Sequence, residues 1–182
     1  MRAPITAWAP CALRAIAVSR PMPAVAPVLD AAYETLAAEG LSVPIDEIAR
    51  RAGVGAGTVY RHFPTKESLI EAVVLDRLQA LTDKARSGID FAGFFTVMVE
   101  AGLTNRAIAD ALAGGGYQIP ADADAALNAA IAELLNEAQQ RGTIRPDVTL
   151  DDIQALVIGC VATARHRGAT VLVEIVVAGL RA

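Results

Sequence analysis

The sequence has little of what disulfide-rich, metal-binding or membrane proteins require. It contains two cysteines in 182 residues, Cys11 and Cys160, and neither lies in a CxxC or a Cys/His spacing. A disulfide framework, a metal site and a cofactor are therefore not expected. No apolar run reaches the roughly 18 residues of a membrane-spanning helix, because Arg165 and Arg167 interrupt the C-terminal one. We expect a cytoplasmic protein without a membrane segment.

Arrangements of side chains that carry out catalysis are also missing from the sequence. No Ser/His/acid or Cys/His set, no cluster of carboxylates and no metal-ligand spacing is visible. Gly53, Gly55 and Gly57 superficially resemble a phosphate-binding glycine loop, but such loops follow a strand, whereas a helical pattern precedes these glycines. The triple glycine at 114–116 is interpreted as a spacer. An enzyme is therefore not expected.

Aromatic residues are scarce, at 4%, although 54% of the residues are hydrophobic and much of that fraction is alanine. Such a composition, without alternating β-branched segments, favours packed helices over strands. The run from Val171 to Val177 is the only β-branched stretch that suggests a strand, and we interpret it as a helix. The sequence therefore predicts an all-α protein with one domain, or with two small domains that share a helix.

Residues 45–69 combine two short helical patterns that meet at a glycine. Gly53 provides the left-handed backbone that ends the first helix and turns the chain into the second. Phe63 and Pro64 end the second helix, because a residue before proline avoids helical backbone angles, and Thr65 is suited to capping a third. This is a helix-turn-helix arrangement, whose second helix reads DNA. The apolar face of the first helix consists of Ile45, Ile48, Ala49 and Ala52.

The charge distribution fits this interpretation. The whole chain carries a net charge of −4, yet no acidic residue occurs between Ile48 and Lys66. One local face can therefore meet phosphate despite the net acidity. The basic residues of this stretch are Arg50, Arg51, Arg61 and Lys66.

The stretch from Val28 to Val73, about a quarter of the chain, resembles the tetracycline-repressor (TetR) class of bacterial transcription regulators. The resemblance rests on the AGVG-GT-YRHFPTKE core and on the L-DAA helix that precedes it. It implies an N-terminal three-helix DNA-binding domain and an all-helical C-terminal domain for ligand binding and dimerisation. It also implies a repressor that a small-molecule inducer releases from its operator.

We predict three segments on this basis. Residues 1–23 form a poorly ordered N-terminal extension, 24–64 the helix-turn-helix domain and 65–182 the regulatory and dimerisation domain. The extension has apolar residues, as a signal peptide does, but prolines and Arg14 interrupt any apolar core of such a peptide. A start codon assigned too far upstream is an alternative explanation of this extension.

The resemblance also implies which residues contact DNA. Many family members have Ser-Lys where this chain has Gly55-Ala56, which removes a capping hydroxyl and a cation. Base recognition is therefore expected to rest more on Thr58, Tyr60 and backbone amides. Arg61 lies beside His62 on the same helix, and Lys66 opens the next helix toward a phosphate. The candidate DNA-binding residues are Gly55, Ala56, Thr58, Tyr60, Arg61, His62 and Lys66.

Apolar periodicity predicts a helix over 25–39 before this unit and several helices after it. The later helices are expected at 65–87, 89–101, 105–113, 121–141, 149–165 and 168–180. The aromatic residues of 89–101 can line a ligand cavity or fill a core, and the sequence leaves both alternatives open. The candidate pocket residues are Phe91, Phe94, Phe95, Met98, Tyr117, Leu127 and Ile131.

The last two helices are the expected homodimer interface, because their apolar faces exceed what a lone monomer would expose. A two-fold axis there would require palindromic double-stranded operator DNA. The candidate interface residues are Ile153, Leu156, Val157, Cys160, Leu172, Ile175, Val176 and Leu180. An alternative function is a DNA-binding regulator whose shortened C-terminal domain has no small-molecule inducer.

Overall fold

The computed structural model describes residues 25–104, 121–167 and 169–182. Within these ranges all regular secondary structure is helical, which confirms the predicted all-α fold. The run 171–177 lies inside the last helix, which confirms its interpretation as a helix. The helices are α1 (Val25–Glu39), α2 (Ile45–Arg51), α3 (Ala56–His62), α4 (Lys66–Ala85), α5 (Phe91–Thr104), α6 (Ala121–Gln140), α7 (Leu150–Arg167) and α8 (Ala169–Leu180). The predicted extension 1–23, the predicted helix 105–113 and Tyr117 lie outside the described residues.

Side-chain caps begin two of the helices where the sequence predicts them. The Thr65 hydroxyl accepts a hydrogen bond from the Ser68 amide at 3.1 Å, and the Ser68 hydroxyl accepts one from the Thr65 amide at 3.2 Å. At the start of α7 the Thr149 hydroxyl accepts from the Asp152 amide at 3.2 Å, and the Asp152 carboxylate accepts from the Thr149 amide at 2.9 Å. Both reciprocal caps satisfy amides that a helix leaves without an internal partner.

The first of two hydrophobic cores lies between α1, α2, α3 and the first half of α4. Each of these helices contributes at least one fully buried side chain, so α4 completes the three-helix unit that precedes it. The largest of these side chains are Leu36, Ile48, Val59, Leu69 and Ile70.

The second core lies between the end of α4 and α5, α6, α7 and α8. Phe94 and Phe95 of α5 are fully buried at its centre. The helices α5 and α7 approach closely at Gly102, where an added Cβ would lie 2.6 Å from the Val161 Cγ2 atom. A larger residue at position 102 would therefore push α7 away from α5.

The long helix α4 takes part in both cores, with Val73 buried in the first and Ala85 buried in the second. Arg77 in its middle attaches α1 to it: the guanidinium lies 4.2 Å from the centroid of the Tyr33 ring and forms an ion pair with Asp30. The first core extends into α4 as far as Val74. The position of the helix-turn-helix unit is therefore set by its packing on α4.

Candidate nucleic-acid interface

The turn between α2 and α3 has the geometry that the sequence predicts. Gly53 adopts a φ of 66°, in the left-handed region that favours glycine. The Val54 amide donates to the Ala49 carbonyl at 3.0 Å, which closes the turn. Val59 is buried against α2 and fixes one side of α3 to the first core. The other side of α3 is therefore free to face outward.

The outward side of α3 is polar and aromatic. Tyr60 is 43% exposed, Arg61 and His62 are exposed, and Thr58 is half-buried. The His62 ring lies 6.3 Å from the Phe63 ring, centroid to centroid, and Phe63 is itself buried. This side of α3 presents hydrogen-bonding groups on a rigid helix, as a reader of base edges requires.

The backbone at the start of α3 is exposed at Gly55 and Gly57. Gly55 is its N-cap, with extended backbone angles and no side-chain cap, as the loss of a capping hydroxyl predicts. The Thr58 amide donates to the Gly55 carbonyl at 2.9 Å. A Cβ added to Gly55 or Gly57 would meet no atom within 4 Å, and Ala56 between them is half-buried. Another molecule can therefore approach the backbone closely at this point.

Lys66 is the first residue of α4, directly after the Thr65 cap. Its side chain is half-buried, and neither Lys66 nor Arg61 forms an ion pair within the part of the chain that the structure describes. The Ser68 half of the cap was not predicted, because the usual capping partner at that position is Glu or Gln. The cap fixes the start of α4, and with it Lys66, beside the end of α3.

The two arginines of α2 are paired with acidic residues. Glu47 accepts hydrogen bonds from Arg50 Nε at 2.8 Å, Arg50 Nη2 at 2.7 Å and Arg51 Nε at 2.7 Å. Arg51 also pairs with Glu39 of α1. The hydrogen bonds from Arg50, and then those from Arg51, lower the pKa of Glu47 to about 2. The expectation that Arg50 and Arg51 face phosphate together with Arg61 and Lys66 is therefore corrected.

Sequence reasoning missed this network because the acid-free stretch begins one residue after Glu47. The spacings of three and four residues from Glu47 to Arg50 and Arg51 were a visible signal of helical ion pairs. The Glu39 contact had no such signal, because it depends on how α1 packs against α2.

The candidate pocket residues gather in the second core. All except two of them are buried there, Leu127 is half-buried against the same cluster, and Tyr117 lies outside the described residues. Two surface clefts of about 220 and 230 Å³ lie against α6, the first where α4 ends and the second where α5 begins. Phe91 lines the second cleft, and no other candidate pocket residue lines either one. The ligand pocket therefore stays a prediction.

The candidate dimer residues fall into three groups. Ile153, Cys160 and Leu180 are buried inside the chain's own core, so they are corrected from interface to core residues. Ile175 is 57% exposed. The half-buried group packs against the second core from outside and consists of Leu156, Val157, Leu172 and Val176.

Two exposed apolar side chains on α7 and α8 were not among the candidates. Ile158 is 69% exposed and Val171 is 47% exposed. Both helices are apolar on more than one side, and α5 covers one of these sides of α7, which leaves Ile158 on another. Apolar periodicity alone could not choose between the covered and the open side.

Residues 25–104, 121–167 and 169–182 contain neither a candidate metal site nor a candidate membrane span. No group of three His, Cys, Asp or Glu side chains in these ranges is placed to hold a metal ion. None of the helices in the same ranges has the length and apolarity to cross a membrane.

Comparison with known proteins agrees with the geometry of α2 and α3. The family model for bacterial regulatory proteins of the tetR family matches residues 28–73. The model for the C-terminal domain of SbtR-like transcriptional regulators matches residues 88–182. The transcriptional regulator UidR of Escherichia coli K12 is 30% identical over 135 residues, which cover 66% of this chain and 69% of UidR.

Two solved structures are similar over most of the chain. A TetR regulator from Mycobacterium vanbaalenii is 43% identical, with a TM-score of 0.73 over 86% of this chain and 94% of that one. A TetR regulator from Streptomyces coelicolor is 29% identical, with a TM-score of 0.71 over 86% and 98%. The chain therefore belongs to the TetR family of DNA-binding transcriptional regulators.

Proposed function

We propose that this regulator is a dimeric repressor that leaves a palindromic operator when a small molecule binds its C-terminal domain. The observation that carries the DNA-binding half of this proposal is the outward side of α3, which exposes Tyr60 and Arg61 next to bare backbone at Gly55. The repressor acts where the chromosome is, in the bacterial cytoplasm.

The residues of α3 divide by the part of DNA that they meet. Thr58 and Tyr60 are assigned to base edges, because they project from the middle of the reader helix. Arg61, His62 and Lys66 are assigned to phosphates, since they follow toward the end of α3 and the start of α4. The open backbone around Gly55 and Ala56 allows the helix to enter the major groove closely.

The dimer interface is assigned to the open apolar side of α7 and α8. Its centre is formed by Ile158, Val171 and Ile175, which a monomer would leave in water. The half-buried side chains Val157 and Leu172 adjoin this surface. A two-fold axis through it presents two α3 helices to successive major grooves, roughly 34–36 Å apart.

The inducer is assigned to the apolar interior of the C-terminal domain. The support is the clustering of the α5 aromatics Phe91, Phe94 and Phe95 with Ile131 of α6. The alternative is a regulator whose C-terminal domain binds no small molecule. A saturable change in operator affinity on addition of a compound supports the inducer-responsive regulator. The exposed α7–α8 surface is compatible with either kind of regulator.

The proposal is tested by selecting duplexes from a random-sequence library with the purified protein. We expect the recovered duplexes to contain two inverted half-sites and to bind one dimer each. Compounds are then screened for release of the protein from the selected duplex. Recovery of sequences without inverted symmetry would contradict the dimer, and retention on DNA with every compound favours the inducer-free alternative.

A further inference from the structure

The carboxylate of Glu47 accepts hydrogen bonds from both arginines of α2. Arg50 forms a bidentate contact with both carboxylate oxygens of Glu47, through Nε at 2.8 Å and Nη2 at 2.7 Å. Arg51 Nε donates to the same carboxylate at 2.7 Å. A two-pronged contact of this kind is the geometry in which arginine also binds a phosphate.

The two arginines are held unequally. Arg51 keeps further partners on α1, namely Glu39 and the Thr35 hydroxyl, the latter at 3.4 Å. Arg50 is held by Glu47 alone among the described residues, although its side chain is 71% exposed. Loss of the Glu47 charge would therefore release Arg50 and leave Arg51 attached to α1.

Arg50 lies where an unpaired cation would be close to the DNA backbone in the proposed complex. It is in the last turn of α2, and its carbonyl accepts a hydrogen bond from the Gly53 amide at 3.2 Å, inside the turn that leads to α3. The first helix of a helix-turn-helix unit crosses the DNA backbone. A free arginine there would bind phosphate in any DNA sequence, because phosphate contacts carry no sequence information.

We propose that Glu47 is an internal counter-ion that limits sequence-independent DNA binding by keeping Arg50 away from the phosphate backbone. This inference rests on the proposed DNA contact of α3. It gives Glu47 a role in DNA recognition without any contact between Glu47 and DNA.

The test compares Glu47→Gln, Arg50→Gln and the double variant with the wild type. Each is titrated with a duplex selected from a random library and with a scrambled duplex of the same length, between 50 and 200 mM salt. Glu47→Gln should bind the scrambled duplex about threefold to tenfold more tightly at low salt, with a salt slope steeper by about 0.9 for each subunit bound, the value for one added phosphate contact per subunit. Arg50→Gln and the double variant should match the wild type.

The matched control is Glu137→Gln. Glu137 forms an ion pair with Arg141 at 2.9 Å on α6, so the substitution changes the net charge equally and breaks a similar pair away from α3. Its salt slope should equal that of the wild type. Thermal melting of every variant checks that the fold is intact.

Three results would overturn the inference. The first is a Glu47→Gln affinity for the scrambled duplex that is no higher than that of the wild type, and the second is an equal rise in affinity in Glu137→Gln. The third is a salt slope lowered by about 0.9 for each subunit in Arg50→Gln, which would make Arg50 itself a phosphate ligand. If the wild type binds the selected duplex and Glu47→Gln changes nothing, only this inference falls. If the wild type binds no duplex, the proposed function falls with it.

Discussion

The N-terminal and C-terminal regions have similar helical cores but leave different side chains outside. The open side of α3 carries a tyrosine, a histidine and an arginine, whereas the open side of α7 and α8 carries isoleucine and valine. Exposed cations attract phosphate, and exposed apolar surface is stabilised against another apolar surface. The first surface therefore supports the proposed DNA contact, and the second supports the proposed dimer.

The comparison also shows why the net charge of −4 is a poor guide to the partner. Around α2 the acids Glu39 and Glu47 are placed against arginines, so they neutralise part of the local basic charge. Arg61 and Lys66 have no such acid partner within the described ranges. The arrangement of charges, and not their sum, distinguishes the DNA-facing region.

The largest expected effect comes from placing charge on the apolar surface. Ile158→Glu combined with Ile175→Glu should give monomers, because an unpaired carboxylate buried at the interface costs about 3–5 kcal/mol. Affinity for the full palindrome should fall by about 10²–10⁴-fold toward that of one half-site. Light scattering and titration of a selected duplex measure the two effects.

Ala132→Glu is the control for this pair, since it adds a carboxylate at an exposed position of α6. It should remain a dimer. A dimer that persists in the double variant would place the interface elsewhere and remove the contrast between the two surfaces.

The next effect is loss of base contacts on α3. Tyr60→Ala and Thr58→Ala should each weaken binding to the selected duplex by about 1–3 kcal/mol, or about 5–150-fold, and reduce discrimination against scrambled DNA. Fluorescence anisotropy measures both affinities. Leu75→Ala, which trims an exposed apolar side chain of α4, should leave them unchanged. Wild-type affinity in a folded Tyr60→Ala dimer would remove Tyr60 from the interface.

A smaller effect is expected at the start of α4. Lys66→Ala should weaken binding to selected and scrambled duplexes alike, and lower the salt slope by about 0.9 for each subunit bound. Lys84→Ala, at the other end of the same helix, is the matched control. An unchanged slope in Lys66→Ala would show that Lys66 makes no phosphate contact.

The smallest effect is the pH dependence of the Glu47 network. Its pKa falls from 4.5 to about 2 on folding, so its stabilising contribution is complete above pH 4.5 and is lost as the pH falls toward 2. The difference in free energy of unfolding between wild type and Glu47→Gln should be small and constant from about pH 5 to 8. It should decrease as the pH falls from about 4.5 toward 2. Urea unfolding followed by circular dichroism measures it, and a difference that persists at pH 2 would contradict the pairing.

Much of the fold follows from local signals in the sequence. The predicted helices over 25–39 and 121–141 agree with α1 and α6 to within a residue, because apolar periodicity and a following glycine mark them. Thr65 and Thr149 were recognisable as caps because a threonine hydroxyl directly before a helical pattern can accept from a first-turn amide. Such signals depend on neighbours in the chain and need no knowledge of packing.

The packing of neighbouring helices determined which side chains face inward, and local sequence signals could not predict this. Ile153 and Cys160 turn inward because α7 lies against α5, while Ile158 on the same helix stays outside. Arg51 turns toward Glu39 because α1 lies beside α2. In each case the sequence indicated the chemical type of the side chain, and the neighbouring helix determined which way it faces.

The most direct test of the central claim is to locate α3 on DNA with a cleavage probe. Cys11 and Cys160 are replaced by alanine, and an iron-chelate probe is attached to a cysteine introduced by Arg61→Cys, or by Glu137→Cys as the distant control. We expect strand cleavage within both half-sites of the selected duplex from position 61, and none above background from position 137. Absence of cleavage from position 61, or equal cleavage from both positions, would contradict the proposed DNA contact of α3.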